Sequence, residues 1–137
     1  MSLLNPQNSS SARGHCLCGA VQFEVRGPLR SVIYCHCSFC RRSTGHIVAA
    51  TACARADLFV LLEASVKWYQ SSAIARRGFC ETCGSQLFWD PVGTDRMCIM
   101  AGAIDAPTGL TAAEHIFVSS KGDYYEICDG LPQKAAD

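Results

Sequence analysis

Cys35-His36-Cys37-Ser38-Phe39-Cys40 places three cysteines within six residues and runs directly into Arg41-Arg42. Two further groups flank it: Cys16-Leu17-Cys18-Gly19 upstream and Cys80-Glu81-Thr82-Cys83-Gly84 downstream. These three groups hold seven of the ten cysteines, while Cys53, Cys98 and Cys128 stand alone. Each group has the spacing of a chelate. In an extended strand residues i and i+2 share a face, so Cys16/Cys18 and Cys35/Cys37 can each aim two sulfurs at one ion. A C-x-x-C turn curls around a metal, and a glycine after the second cysteine supplies the positive φ such a turn needs. Gly19 and Gly84 occupy that place in the outer groups, whereas the middle group continues into arginines.

Seven thiolates divide as four plus three. Cys16, Cys18, Cys80 and Cys83 make a closed tetrahedral set of the structural zinc type. Cys35, Cys37 and Cys40 make a three-ligand set with an open fourth position, the catalytic type. Spacing also permits a division that ties the first group to the second, and glycine placement and ligand arithmetic favour the one given. Iron–sulfur clusters and disulfides compete for the same sulfurs. Zinc, two ions per chain, is the expectation.

The rest of the composition narrows the class. A chain of 137 residues holds one domain. Twelve Lys and Arg balance twelve Asp and Glu, which argues against a nucleic-acid binder. Hydrophobic residues make up 49%, too many for a disordered chain, yet no apolar stretch is long enough to span a bilayer. The polar, Ser/Asn-rich start has no signal core, so a cytoplasmic, non-membrane protein is expected. Seven thiolates and two Zn²⁺ would leave three net negative charges, which Arg41, Arg42, Arg76 and Arg77 could offset. For Arg76 and Arg77 the expectation is charge balance or solvation only.

Period-2 alternation over Val21, Phe23 and Val25 predicts a strand ending at Gly27-Pro28. Further strands are expected over 65–69, 74–79, 85–89, 96–101 and 115–118, with a loop at 105–109. Within the Ala- and Leu-rich stretch 46–64, Ile47, Val48 and Thr51 favour a strand at the start, and Asp57 could cap a helical turn near 58–61. The fold class is therefore mainly all-β, with residues 1–13 expected to be disordered, a single zinc domain over 14–132, and a frayed tail at 133–137.

The order G-x-C-x-C-G at Gly14–Gly19, C-H-C-x-x-C-R-R-x-x-G at Cys35–Gly45 and F-C-x-x-C-G at Phe79–Gly84 resembles the glutathione-dependent formaldehyde-activating enzyme family, which includes centromere protein V relatives. His115-Ile116-Phe117-Val118, Lys121 and Asp129-Gly130-Leu131-Pro132 resemble the C-terminal part of that family, while Tyr124-Tyr125 stands where many members carry a tryptophan. The resemblance implies a β-tent of coiled antiparallel sheets stapled by zinc. It also implies Cys16, Cys18, Cys80 and Cys83 as structural ligands and Cys35, Cys37 and Cys40 as catalytic ones. The implied activity is a carbon–sulfur lyase reaction, formaldehyde or a related small aldehyde condensing with glutathione or another thiol. The alternative is a non-catalytic zinc module that binds a protein partner.

Few side chains offer help near the trio. His46 follows the middle group and is the candidate acid–base residue. Arg41, which joins His46 among the catalytic candidates, and Arg42 could each bind a substrate carboxylate. His36 lies between two ligands and in a strand would point away, so a packed or solvated ring is expected. His115 reads as structural, and the three lone cysteines as small buried hydrophobes.

Overall fold

The computed structural model describes residues 11–61 and 65–137, so the expectations for 1–10 and 62–64 lie outside it. Ten strands and one helix follow in order: β1 (Ser11–His15), β2 (Gln22–Arg26), β3 (Val32–Cys35), α1 (Ser38–Thr44), β4 (Val48–Ala54), β5 (Leu58–Val60), β6 (Val66–Gln70), β7 (Ala75–Cys80), β8 (Gln86–Pro91), β9 (Arg96–Met100) and β10 (Ala112–Ile116). A three-stranded sheet has the order β1-β2-β5. A seven-stranded sheet has the order β10-β3-β4-β9-β8-β7-β6. The mainly-β class is as expected. Pairing is antiparallel except between β10 and β3, which run parallel.

The two sheets meet through the alternating residues of β2 and its approach. Val21, Phe23 and Val25 are all buried, and the Phe23 ring stands edge-on to Phe88 of β8, centroids 5.4 Å apart. Leu87, Ile99, Met97, Cys53 and Ile104 complete this core. Gly14 is needed where β1 crosses it, because a Cβ there would overlap both the Phe23 ring and the Ala103 carbonyl oxygen.

Several expectations need correction. Ser11–Arg13, expected to be disordered, pair with Glu24–Arg26 of β2. The helical turn expected near 58–61 falls earlier, at Arg55–Asp57, and 58–60 is β5, paired along β2. Sheet pairing outweighs the local propensity there. The tail after Pro132 is pinned rather than frayed. His115 and Gln133 form a parallel bridge, and the backbone amides of Phe117 and Val118 bond to the carbonyls of Ala136 and Lys134.

Helix α1 was not anticipated. Cys37 caps it, its sulfur accepting from the Cys40 amide at 3.3 Å, where Ser, Thr, Asp or Asn is the usual cap. Gly45 ends it in the left-handed region at φ 92°, its amide bonding to the Arg41 carbonyl. The middle group is thus a strand end followed by a helix start.

Candidate functional site

The two outer cysteine groups come together. Cys16 and Cys18 lie on the turn between β1 and β2, Cys80 ends β7, and Cys83 lies on the turn between β7 and β8. All four sulfurs lie within 4.8 Å of one another. Zn–S bonds of about 2.3 Å at tetrahedral angles put sulfurs about 3.8 Å apart. The observed separations are 3.6 Å for Cys16–Cys18 and 3.8 Å for Cys18–Cys80, far beyond the roughly 2 Å of a disulfide. Backbone amides point at these sulfurs, Val21 at Cys16 (3.2 Å) and Thr82 at Cys80 (3.4 Å), as anionic sulfur requires. The Ser85 hydroxyl and neighbouring backbone amides hold the Cys83 thiol down at about 5. Cys18, despite the Ala20 amide that favours its thiolate, is pushed up to about 11 by desolvation and the other sulfurs. Four sulfurs at these separations, with N–H groups aimed at them, fit a tetrahedral dication.

The trio assembles separately, its three sulfurs also within 4.8 Å of one another. Cys35 ends β3, Cys37 caps α1, and Cys40 lies in the first turn of that helix, buried against Val48 and Ala50. Hydrogen bonds from Cys35 and Cys40 hold Cys37 down at about 2, and the same sharing pushes Cys35 far up. Cys40 is drawn down by Cys35 but raised on balance by Cys37 and burial. Three sulfurs this close crowd into the space of one ion, and the donor set suits zinc.

Around the trio the structure adds groups that spacing could not reveal. Arg77 of β7 is buried, and its Nη2 lies 3.9 Å from the Cys40 sulfur. It sets a cation beside the trio. Arg76 instead pairs with Asp90 at 2.8 Å and lies over the Trp68 ring, so it has no part in the site. Arg41 is half-buried, and its Nε–H, fully enclosed, has no hydrogen-bond partner among the described residues. Arg42 is exposed. His46 is exposed too, with Nδ1 3.1 Å from the Tyr124 hydroxyl and its ring edge-on to Tyr125 at 4.9 Å.

His36 does turn away from the sulfurs, but into a hydrogen-bonded chain. Its Nδ1 lies 2.6 Å from the Tyr125 hydroxyl and its Nε2 lies 2.8 Å from His115 Nδ1. His115 Nε2 in turn lies 2.8 Å from an Asp129 carboxylate oxygen. Of the lone cysteines, Cys53 is buried as expected. Cys98 is half-buried, and Cys128 is exposed, contrary to expectation. An open groove of about 470 Å³ runs beside α1, lined by Ser43, Thr44, Ile47, Val48, Gln86 and Met100 among others, with no charged side chain. Val48 and Met100, which line the groove, belong to the same apolar cluster as Cys40, though none of the three cysteines lines the groove itself. Among the described residues no helix is long and apolar enough to cross a membrane.

The family described as glutathione-dependent formaldehyde-activating enzyme matches residues 11–120, and the chain belongs to it. The chain is 32% identical over 124 residues to a Halomonas elongata protein named "Putative glutathione-dependent formaldehyde-activating enzyme", covering 83% of this chain and 79% of that one. It is 26% identical over 117 residues to an uncharacterised lyase of Schizosaccharomyces pombe, covering 85% of each. A crystal structure of a Rhodobacter sphaeroides protein superposes with a TM-score of 0.57 at 30% identity, covering 69% of this chain and 88% of that one.

Proposed function

We propose that this protein is a zinc-dependent carbon–sulfur lyase that interconverts a small aldehyde plus a thiol with their hemithioacetal. Formaldehyde and glutathione, condensing to S-hydroxymethylglutathione, are the pair the family description suggests. The observation that carries the reading is the trio of Cys35, Cys37 and Cys40, three sulfurs drawn from six residues with a buried arginine behind them.

Cys35, Cys37 and Cys40 would hold the catalytic ion, and Cys16, Cys18, Cys80 and Cys83 the structural one. When bound, zinc supplies a Lewis-acidic centre and favours the thiolate form of sulfur. In the reaction the C–S bond forms as the carbonyl π bond breaks, and the thiol proton ends on the new hydroxyl oxygen. The chain's residues contribute position and charge. Arg77 sets a fixed positive charge against sulfurs that would otherwise leave the centre at −1. The guanidinium groups of half-buried Arg41 and exposed Arg42 suit a carboxylate of a glutathione-like substrate. The groove along Val48 and Met100 takes the uncharged part of the substrate. His46, open to solvent and fixed against Tyr124, is placed to exchange protons with water. Holding thiol and aldehyde together is the larger share of catalysis here. Deprotonating a thiol with an ordinary pKa near 8.5 gains at most about 30-fold at pH 7. Ten free thiols suit a reducing compartment such as the cytoplasm.

The test is two-dimensional exchange NMR on formaldehyde and glutathione with the zinc-loaded chain. The wild type should accelerate exchange in proportion to its concentration, and Cys40→Ser should abolish this while remaining folded. A fully active Cys40→Ser protein would refute the assignment, and a silent wild type would refute the lyase reading.

A further inference from the structure

The groove of about 470 Å³ draws its lining from α1 and the start of β4, from the turn after Cys83 and the start of β8, and from the end of β9 with the short turn that follows. Among its described lining residues none is charged, so a charged ligand group would find no counter-charge there. Ser43 and Thr44 each donate to the Cys40 carbonyl, at 3.1 and 2.9 Å, so the helix itself holds their hydroxyl protons. Gln86 differs from them. It is half-buried, and among the described residues its carboxamide has no hydrogen-bond partner. A carboxamide presents an N–H donor and a C=O acceptor side by side, the complement of a secondary amide.

Gly102, in the short turn Ala101–Ala103, lines the same groove and is exposed. Its φ lies outside the left-handed region, and a Cβ placed on it would meet nothing within 4 Å. Neither backbone geometry nor packing therefore asks for glycine here, and glycine loses more conformational entropy on folding than alanine does. What the missing side chain does supply is free volume in the groove wall. Gly84 is the contrast. A Cβ there would also meet nothing, but its φ of 80° is one the turn after Cys83 requires.

We propose that the groove binds the uncharged, amide-bearing segment of a small peptide thiol, with Gln86 and Gly102 as its specificity-determining residues. Gln86 pairs with the amide, and Gly102 leaves the room for it. The proposal rests on the lyase reading above and names what is recognised in the thiol beyond its sulfur. Val48 and Met100 belong both to the groove and to the apolar cluster around Cys40, so a ligand lying there touches side chains packed with the trio. A thiol with no amide, such as 2-mercaptoethanol, gains nothing from either residue. Discrimination between thiols then comes from a polar group that only the amide can satisfy.

The experiment compares the zinc-loaded wild type with Gly102→Ala, Gly102→Leu and Gln86→Leu, using S-methylglutathione as a ligand that does not react. In nitrogen-15 spectra of the wild type it should shift the Gly84 and Gly102 amide signals and the Gln86 side-chain signals. Gly102→Leu should weaken its binding about tenfold or more, and Gly102→Ala by less. Gln86→Leu should weaken it about fivefold, the worth of one hydrogen bond. In exchange kinetics Gly102→Leu should lower the ratio of kcat/KM for glutathione over 2-mercaptoethanol about tenfold. Both glycine variants should melt with the wild type or above it, since neither loses a contact or a left-handed residue. Shifts confined to other surfaces, or unchanged binding in Gly102→Leu, would overturn the groove assignment and leave the lyase reading intact. A Gly102→Leu protein melting well below the wild type would overturn the premise that the fold makes no demand for glycine there. Wild-type binding in Gln86→Leu would overturn the amide contact. A wild type that binds in the groove but accelerates exchange of no thiol would instead overturn the lyase reading, with the binding assignment still standing.

Discussion

Replacing Cys18 by alanine isolates the metal link from packing. Cys18 is exposed, and changes at such positions ordinarily stay within about 0.5 kcal/mol. Its sulfur nevertheless lies 3.8 Å from that of Cys80, 62 residues further along the chain. An ion that stayed on both sulfurs would close that loop in the unfolded chain too. The chain-entropy treatment of a crosslink over 62 residues gives about 14 cal/mol/K, or about 4 kcal/mol at 25 °C. A 137-residue domain unfolds with an entropy of about 0.29 kcal/mol/K, so releasing the link should lower Tm by about 15 °C. The three remaining sulfurs can still hold an ion weakly, so the melt belongs in EDTA at a concentration the wild type withstands, with metal content measured alongside. Cys128→Ala, equally exposed but far from any sulfur cluster, should melt with the wild type. A Cys18→Ala protein that has lost its metal yet melts within about 3 °C of the wild type would refute the stapling argument.

Two further outcomes follow from the charges. Asp90 is buried between Arg55 and Arg76, each at 2.8 Å, and although burial favours its neutral form, the two arginines hold its carboxyl below the ordinary range. A carboxyl with a lowered folded pKa stabilises the fold above its unfolded value near 4, and that stability is lost as pH falls through the folded value. Asp90→Asn should therefore cost about 1–2 kcal/mol at pH 7, discounted for the part-exposed arginines, and the gap should close in urea melts below about pH 4. A pH-independent gap would contradict the ion-pair account. Arg77→Met removes the buried cation beside Cys40 and should weaken metal binding at the trio about 10- to 100-fold in chelator competition, leaving the quartet untouched. Equal affinities at the trio would show that Arg77 contributes packing only.

The parts legible in the sequence were those set by short-range spacing. Sulfurs two or three residues apart share an ion whatever fold surrounds them, and the alternation at Val21, Phe23 and Val25 fixes a buried face by parity alone. What escaped reading was local chemistry in an unusual guise or contact made at long range. Helix α1 starts on a cysteine, which carries no capping signal of its own. Arg77 lies on β7, where a bulge between Gly78 and Phe79 shifts the register and breaks the alternation that would have marked its face. Tyr125 and Asp129 meet His36 and His115 across 89 and 14 residues through a C-terminal segment with no regular structure to announce it. Gln133 and Ala136 hold that segment through backbone bonds that any residue types could make.

The contrast between the two sulfur sets follows from how many chain segments supply them. The quartet takes two cysteines from each of two turns that face one another, so an ion between them is approached from opposite sides and enclosed. The trio comes from one strand end and the first turn of the helix that follows, and three ligands from six consecutive residues can cover only one side of an ion. An ion held there would keep a side free for groups that are not ligands. The nearest cation on the page is Arg77 of β7, whose Nη2 lies 3.9 Å from the Cys40 sulfur. Substrate preference would then be set by side chains other than the cysteines, and could change without disturbing the sulfurs that would hold the metal.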